Sequence, residues 1–100
     1  RRRARGRPPS PVALAQRVTH VFEGIRAVHP DGNVLVVSHK ATIRVALCAL
    51  LGVDVGRFRY RFGCPVGSVS IIEFGAHGPF AATVADRSHL SAELRGLEGT

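Results

Sequence analysis

Leu14, Val18, Val21, Phe22, Ile25 and Val28 recur at intervals of three and four residues, which puts them on one stripe of a helix. The pattern predicts an amphipathic helix over about residues 11 to 28 with that stripe against a core. Ser10 before Pro11 suits its start, because a serine hydroxyl accepts from an orphan N–H and proline is harmless at the first helical position. Pro30 ends it: the residue before a proline resists the α region, and "HPDGN" is dense in turn chemistry. Residues 34 to 37, "VLVV", are an unbroken apolar run, the pattern of a central strand covered on both faces. A second helix, over about residues 41 to 51, turns Ile43, Ala46, Leu47, Leu50 and Leu51 inward. It stops at Gly52, a residue suited to a left-handed terminal position.

Further on, "RFRYRF" alternates strictly, with Arg57, Arg59 and Arg61 on one side and Phe58, Tyr60 and Phe62 on the other. Period two predicts a half-buried extended segment, with the rings packed inward and the charges outward. "GCPVG" breaks it. "SVSIIEF" and "FAATVADR" are two more strand candidates, and the "GAHGP" between them suits a hairpin connection. After Arg87 the tail has helical character only in its middle. There is no internal repeat, and residues 10 to 100 read as one α/β domain behind a leader of residues 1 to 9.

Composition refines this picture. The chain has 100 residues, 45% of them hydrophobic, and no apolar run approaches the roughly 20 residues of a membrane span, so a soluble domain without membrane association is expected. The net charge of +7 is concentrated at the start: without Arg1, Arg2, Arg3, Arg5 and Arg7 it falls to +2. "RRRARGRPPSP" cannot bury apolar surface and is expected to be flexible. A nucleic-acid partner is disfavoured, since the excess belongs to this leader, which has no initiator Met and reads as an arbitrary start. Cys48 and Cys64 have no metal-type spacing. Cys48 reads as a small core residue, and both thiols are compatible with a reducing, cytoplasmic compartment.

The chemistry gathers where the apolar run ends. In open α/β sheets, ligands collect outside the carboxyl ends of strands, where helix N-termini direct unsatisfied N–H groups outward. Ser38, His39 and Lys40 occupy that position. A phosphate there could take N–H donors from the helix start, a hydrogen bond from the His39 imidazole and an ion pair with Lys40. His39 taken alone also fits a plain helix cap.

The order of features resembles the C-terminal catalytic segment of the histidine phosphatase superfamily, the phosphoglycerate mutase-like proteins. "VLVVSHKATIRVALCALLGV" is similar to that family's apolar strand, Ser-His-Gly, Ile-Arg and apolar helix. "AVHPDGN" lies upstream, and "GSVSIIEF" and "VADRSHL" follow as its closing strands and Asp-x-x-His-Leu ending. The resemblance covers about residues 10 to 90 and implies a three-layer α/β/α fold. It also implies a phosphate pocket in which one histidine, of an Arg-His-Gly motif, is phosphorylated while a second histidine and two arginines hold the phosphoryl oxygens. The second histidine maps onto His39, whose donating imidazole would stabilise charge on the transferring group. The substrate implied is a phosphorylated small molecule, for a phosphatase or a mutase, and no metal or organic cofactor is required.

The departures are as informative. No Arg-His-Gly occurs, Lys40 replaces the usual glycine, and "RPPSP" stands where the family shows Gly-Glu-Ser. The chain therefore reads either as the C-terminal part of a longer enzyme, inactive alone, or as a non-catalytic phosphate-binding or interaction module. A lone central strand needs neighbours, supplied by the N-terminal part or by a second copy in a homodimer. The region around "RFRYRF" borders the substrate entrance in that family, which makes Arg57 and Arg59 secondary candidates for an anionic substrate. Arg44 is expected to be structural, its stem snorkelling to the surface. His20, His29, His77 and His89 are not spaced as a metal site; a local hydrogen bond to Asp86 suits His89. No nucleophile elbow, P-loop or dinucleotide fingerprint is present.

Overall fold

The computed structural model describes residues 10–96; the basic leader, expected to be flexible, lies outside the described residues. Helix α1 spans Pro11–Val28, with Ser10 accepting from the Ala13 amide and Pro11 in the first turn. Helix α2 spans Lys40–Leu51 and ends on Gly52 at φ +73°, where a side chain would be strained. A short 3-10 turn follows at Val55–Tyr60, its first turn fixed by the Asp54 carboxylate accepting from Gly56 N. Strands β1 (Val69–Gly75) and β2 (Gly78–Asp86) form an antiparallel hairpin. Helix α3 is one turn, Ala92–Arg95, capped by Ser91.

The hairpin turns through residues 76 and 77, with Gly78 at φ +96°. Its register slips near Ile71, opposite Ala85 at φ +55°. The Ser70 hydroxyl accepts from Ala85 N at 2.9 Å and satisfies the amide that this bulge frees from the ladder. Ahead of β1, Ser68 N donates to Pro65 O across a tight turn in which Gly67 has φ +76°. A Cβ on Gly67 would stand 3.2 Å from Leu90 Cδ1, so the loop and the segment after β2 lie in close contact.

The core is small and helical. Ala15 of α1, Val45 and Cys48 of α2 and Phe58 of the 3-10 turn form one buried cluster, with Leu14, Ala49, Val53, Val55 and Phe62 packed around it. Burial raises the Cys48 thiol above its ordinary value; Asp54 adds to this and Arg61 opposes it. A thiol held in that form is a poor nucleophile, which agrees with its reading as a core residue.

Two expectations fail. "RFRYRF" is not extended: Val55, Phe58 and Phe62 point into the core at spacings of three and four, while Tyr60 is 74% exposed. The capping carboxylate of Asp54 starts a turn that overrides the short alternation.

Residues 34 to 37 form no strand either, because the two-stranded hairpin is the sheet of the described residues and nothing in it pairs with them. Val34 and Val36 are 47% and 44% exposed, and Leu35 and Val37 84% and 85%. All four are therefore exposed, Leu35 and Val37 the most. Val21 and Val28, at the far end of the α1 stripe, are likewise exposed. The architecture is a mixed α/β arrangement in which the apolar run at 34 to 37 lacks a cover among the described residues.

Candidate functional site

His39 is the N-cap of α2, with extended backbone (φ −95°, ψ 158°). Its carbonyl accepts from Ile43 N at 2.9 Å, closing the first helical turn. The imidazole is exposed and makes no capping bond to the helix amides. The bland role of side-chain cap is thus not used here. With no capping bond from the His39 side chain, the amides of Ala41 and Thr42 suit an anion. Ser38 is exposed beside it, and Lys40, half-buried, is the first residue of the helix.

A groove of about 480 Å³ opens along the same end of α2. Pro11, Leu14, Val45 and Phe58 give it apolar walls, Ala41 and Thr42 bring in the first turn of α2, and Arg17 and Arg59 supply its charges. It thus joins the starts of both helices to the 3-10 turn. The Arg59 guanidinium carbon sits 4.6 Å from the centre of the Phe58 ring, a cation–π contact. Arg57 is exposed and has non-helical backbone, and it does not join the lining. Of the two arginines considered from the sequence, Arg59 is the one brought to a cleft.

Arg17 was not recognisable in advance. It lies on the polar side of an amphipathic helix, where a charge normally means a solvated face, and only the arrival of the 3-10 turn makes it part of a concave surface. Arg44 also departs from expectation. Its side chain is only partly exposed, and its Nε is shielded from water with no acceptor among the described residues, so snorkelling does not satisfy it.

At the C-terminal side, Asp86 bonds Ser88 rather than His89: its carboxylate accepts from Ser88 N at 3.1 Å and from Ser88 Oγ at 2.9 Å. These bonds hold its carboxyl below the ordinary aspartate value, with a smaller contribution from the charge of His89. Because the folded value lies below the unfolded one, the stabilisation is present above the ordinary aspartate range. It is lost as pH falls through the lowered value. Ser88→Ala, which keeps the backbone donor and removes the hydroxyl, is expected to move the Asp86 midpoint part of the way upward in an NMR titration; an unchanged midpoint would refute the role of the hydroxyl.

Among the described residues no three His, Cys, Asp or Glu side chains gather as a metal site, and no helix is long and apolar enough to cross a membrane.

The chain belongs to the histidine phosphatase superfamily (branch 1), whose profile matches residues 2–87. Over 60 residues it is 42% identical to phosphoserine phosphatase 1 of Hydrogenobacter thermophilus (strain DSM 6534 / IAM 12695 / TK-6), a match covering 60% of this chain and 28% of that relative. Membership implies an α/β fold of which the two-stranded arrangement seen here is part.

Proposed function

We propose that this chain is the second-histidine part of a three-layer α/β/α phosphoryl-transfer domain that hydrolyses a phosphomonoester in a reducing, cytoplasmic setting. The observation that carries it is the exposed His39 imidazole at the N-cap of α2, beside helix amides that it does not cap. Together with the Ser38 hydroxyl and the Lys40 ammonium it forms a set of donors suited to phosphoryl oxygens. The phosphohistidine forms on an Arg-His-Gly histidine outside these 100 residues, and water then cleaves the phosphorus–nitrogen bond. His39 stabilises the negative charge that spreads over the equatorial oxygens in both steps. The kinship with a phosphoserine phosphatase favours hydrolysis over mutase chemistry and makes phosphoserine the first substrate to try.

One observation supports a second reading. Lys40 stands at the first position of α2, where the family's usual glycine would leave the amide more open. A non-catalytic phosphate-binding module would tolerate that bulk. The two readings part on completion of the site: turnover appears only in the first when an Arg-His-Gly segment is supplied.

By itself the chain is expected to bind phosphate weakly without turning over. Titration with inorganic phosphate should shift the His39 ring protons, and His39→Ala should weaken binding about tenfold, the value of one charge-assisted hydrogen bond. Equal affinity in the variant would remove His39 from the site. Turnover of phosphoserine by the purified chain, abolished in His39→Ala, would show that no second segment is required.

A further inference from the structure

We propose that the 3-10 turn carries a docking patch for single-stranded nucleic acid, with Tyr60 as a stacking platform for a base and Arg57, Arg59 and Arg61 as ligands of the flanking phosphates.

Residues 55 to 63, "VGRFRYRFG", hold three arginines and no acid. In an extended segment the rings would lie on the face opposite the charges, and no base could meet both. The 3-10 turn removes that separation. Phe58 is buried and Phe62 packs against the core with Val55, whereas Tyr60 is 74% exposed among the exposed Arg57, Arg59 and Arg61.

The arginines are also placed for an anion. The Arg59 guanidinium lies over the Phe58 ring, and Arg61 Nη1 donates to the Tyr60 carbonyl at 3.4 Å, so two of the three cations are held next to the tyrosine. Asp54, the nearest acid in sequence, accepts from Gly56 N. Among the described residues none of the three arginines is paired with a carboxylate. Like charges gathered on one turn repel each other until phosphates enter. Guanidinium forks match phosphate oxygens, and every base has a π face to lay on an exposed ring. The exposed residues of the turn, Gly56, Arg57, Arg59 and Tyr60, include no aliphatic side chain to enter a bilayer, which favours nucleic acid over an anionic membrane.

The test uses fluorescence anisotropy with oligouridine and oligodeoxythymidine of about ten nucleotides, a length within the usual site sizes. Neither carries a terminal phosphate, so the helix start at His39 has no monoester to take. An abasic deoxyribose-phosphate oligomer of the same length is the reference. The 100-residue chain is expected to prefer oligodeoxythymidine over the abasic strand by about five- to tenfold, the low end of what one stacked base contributes. Tyr60→Ala should reduce that ratio to about one, and Tyr60→Phe should keep it. Charges elsewhere, including the leader arginines, act on phosphates that both strands possess and cancel in the ratio. Arg57→Gln/Arg61→Gln should instead preserve the ratio and lower the slope of log affinity against log salt by about 1.4, the release expected for two phosphate contacts on a single strand.

Equal binding of the abasic strand to the unaltered chain would overturn the patch, as would a preference that survives Tyr60→Ala or a salt slope unmoved by the arginine variant. A strong preference between the two sugars would also overturn it, because stacking and phosphate contacts do not read the 2′-hydroxyl. Vesicles of phosphatidylserine and phosphatidylcholine supply the rival: binding to them that Tyr60→Ala abolishes, with oligomer binding unchanged, would assign the turn to a membrane surface and end the proposal.

Discussion

Phe58→Ala is expected to leave a large fraction of the chain unfolded in water at 25 °C. Phe58 is the aromatic member of the buried cluster and the point at which the 3-10 turn meets both helices. Truncating a buried phenylalanine costs about 3–5 kcal/mol in lost transfer energy and residual cavity. A domain this small sits at the low end of the usual 5–15 kcal/mol of stability. The buried members of the core are otherwise small or medium-sized: Ala15, Val18, Val45, Ala46, Leu47 and Cys48. They offer no side chain that could swing in to fill the space. The same substitution removes the ring beneath Arg59 and one wall of the groove. Tyr60→Ala, two residues on at an exposed position, should change stability by no more than about 0.5 kcal/mol. Urea unfolding followed by circular dichroism gives both numbers, and comparable costs at the two positions would refute the helical reading of this segment.

The second large effect concerns association. At micromolar concentrations the chain should self-associate through residues 34 to 37, and Leu35→Lys/Val37→Lys should return it to a monomer. Leu35 and Val37 are the most exposed large apolar side chains of the described residues, so replacing them removes almost no folded contact. An unpaired, β-branched, uncharged run is the kind of edge that another strand adds to, and lysine on it is the common natural deterrent. Under the proposed function, a segment carrying the Arg-His-Gly histidine would compete for the same edge, and a second copy is a surrogate for it. Sedimentation velocity before and after substitution decides: association that persists in the lysine variant must use another surface, the exposed Val21 and Val28 of α1 being next in line.

These two results bear on what a sequence can show. Both long helices, their serine and glycine caps and the hairpin were legible because each is set by local chemistry and by periods of 3.6 or 2. The 3-10 turn was misread although its spacing was visible: Val55, Phe58 and Phe62 obey the helical interval, and Asp54 announces a turn, but six alternating residues satisfy period two equally well. The run at 34 to 37 failed for a different reason. Its composition records an environment covered on both sides, and composition cannot say which segment provides the cover. His39 stood out through its place between an apolar run and a helix, and the structure puts it at the N-cap of α2. Arg17 was not, since a groove assembled from three elements leaves no periodic trace in any one of them.

The close approach of Gly67 to Leu90 links two positions twenty-three residues apart. Any side chain at 67 would meet both an unfavourable backbone angle and a neighbouring methyl group, and shortening Leu90 relieves only the second. The pair should therefore show one-sided epistasis: substitutions at 90 tolerated singly, substitutions at 67 tolerated only after 90 has become small, and even then at a residual cost of about 1 kcal/mol.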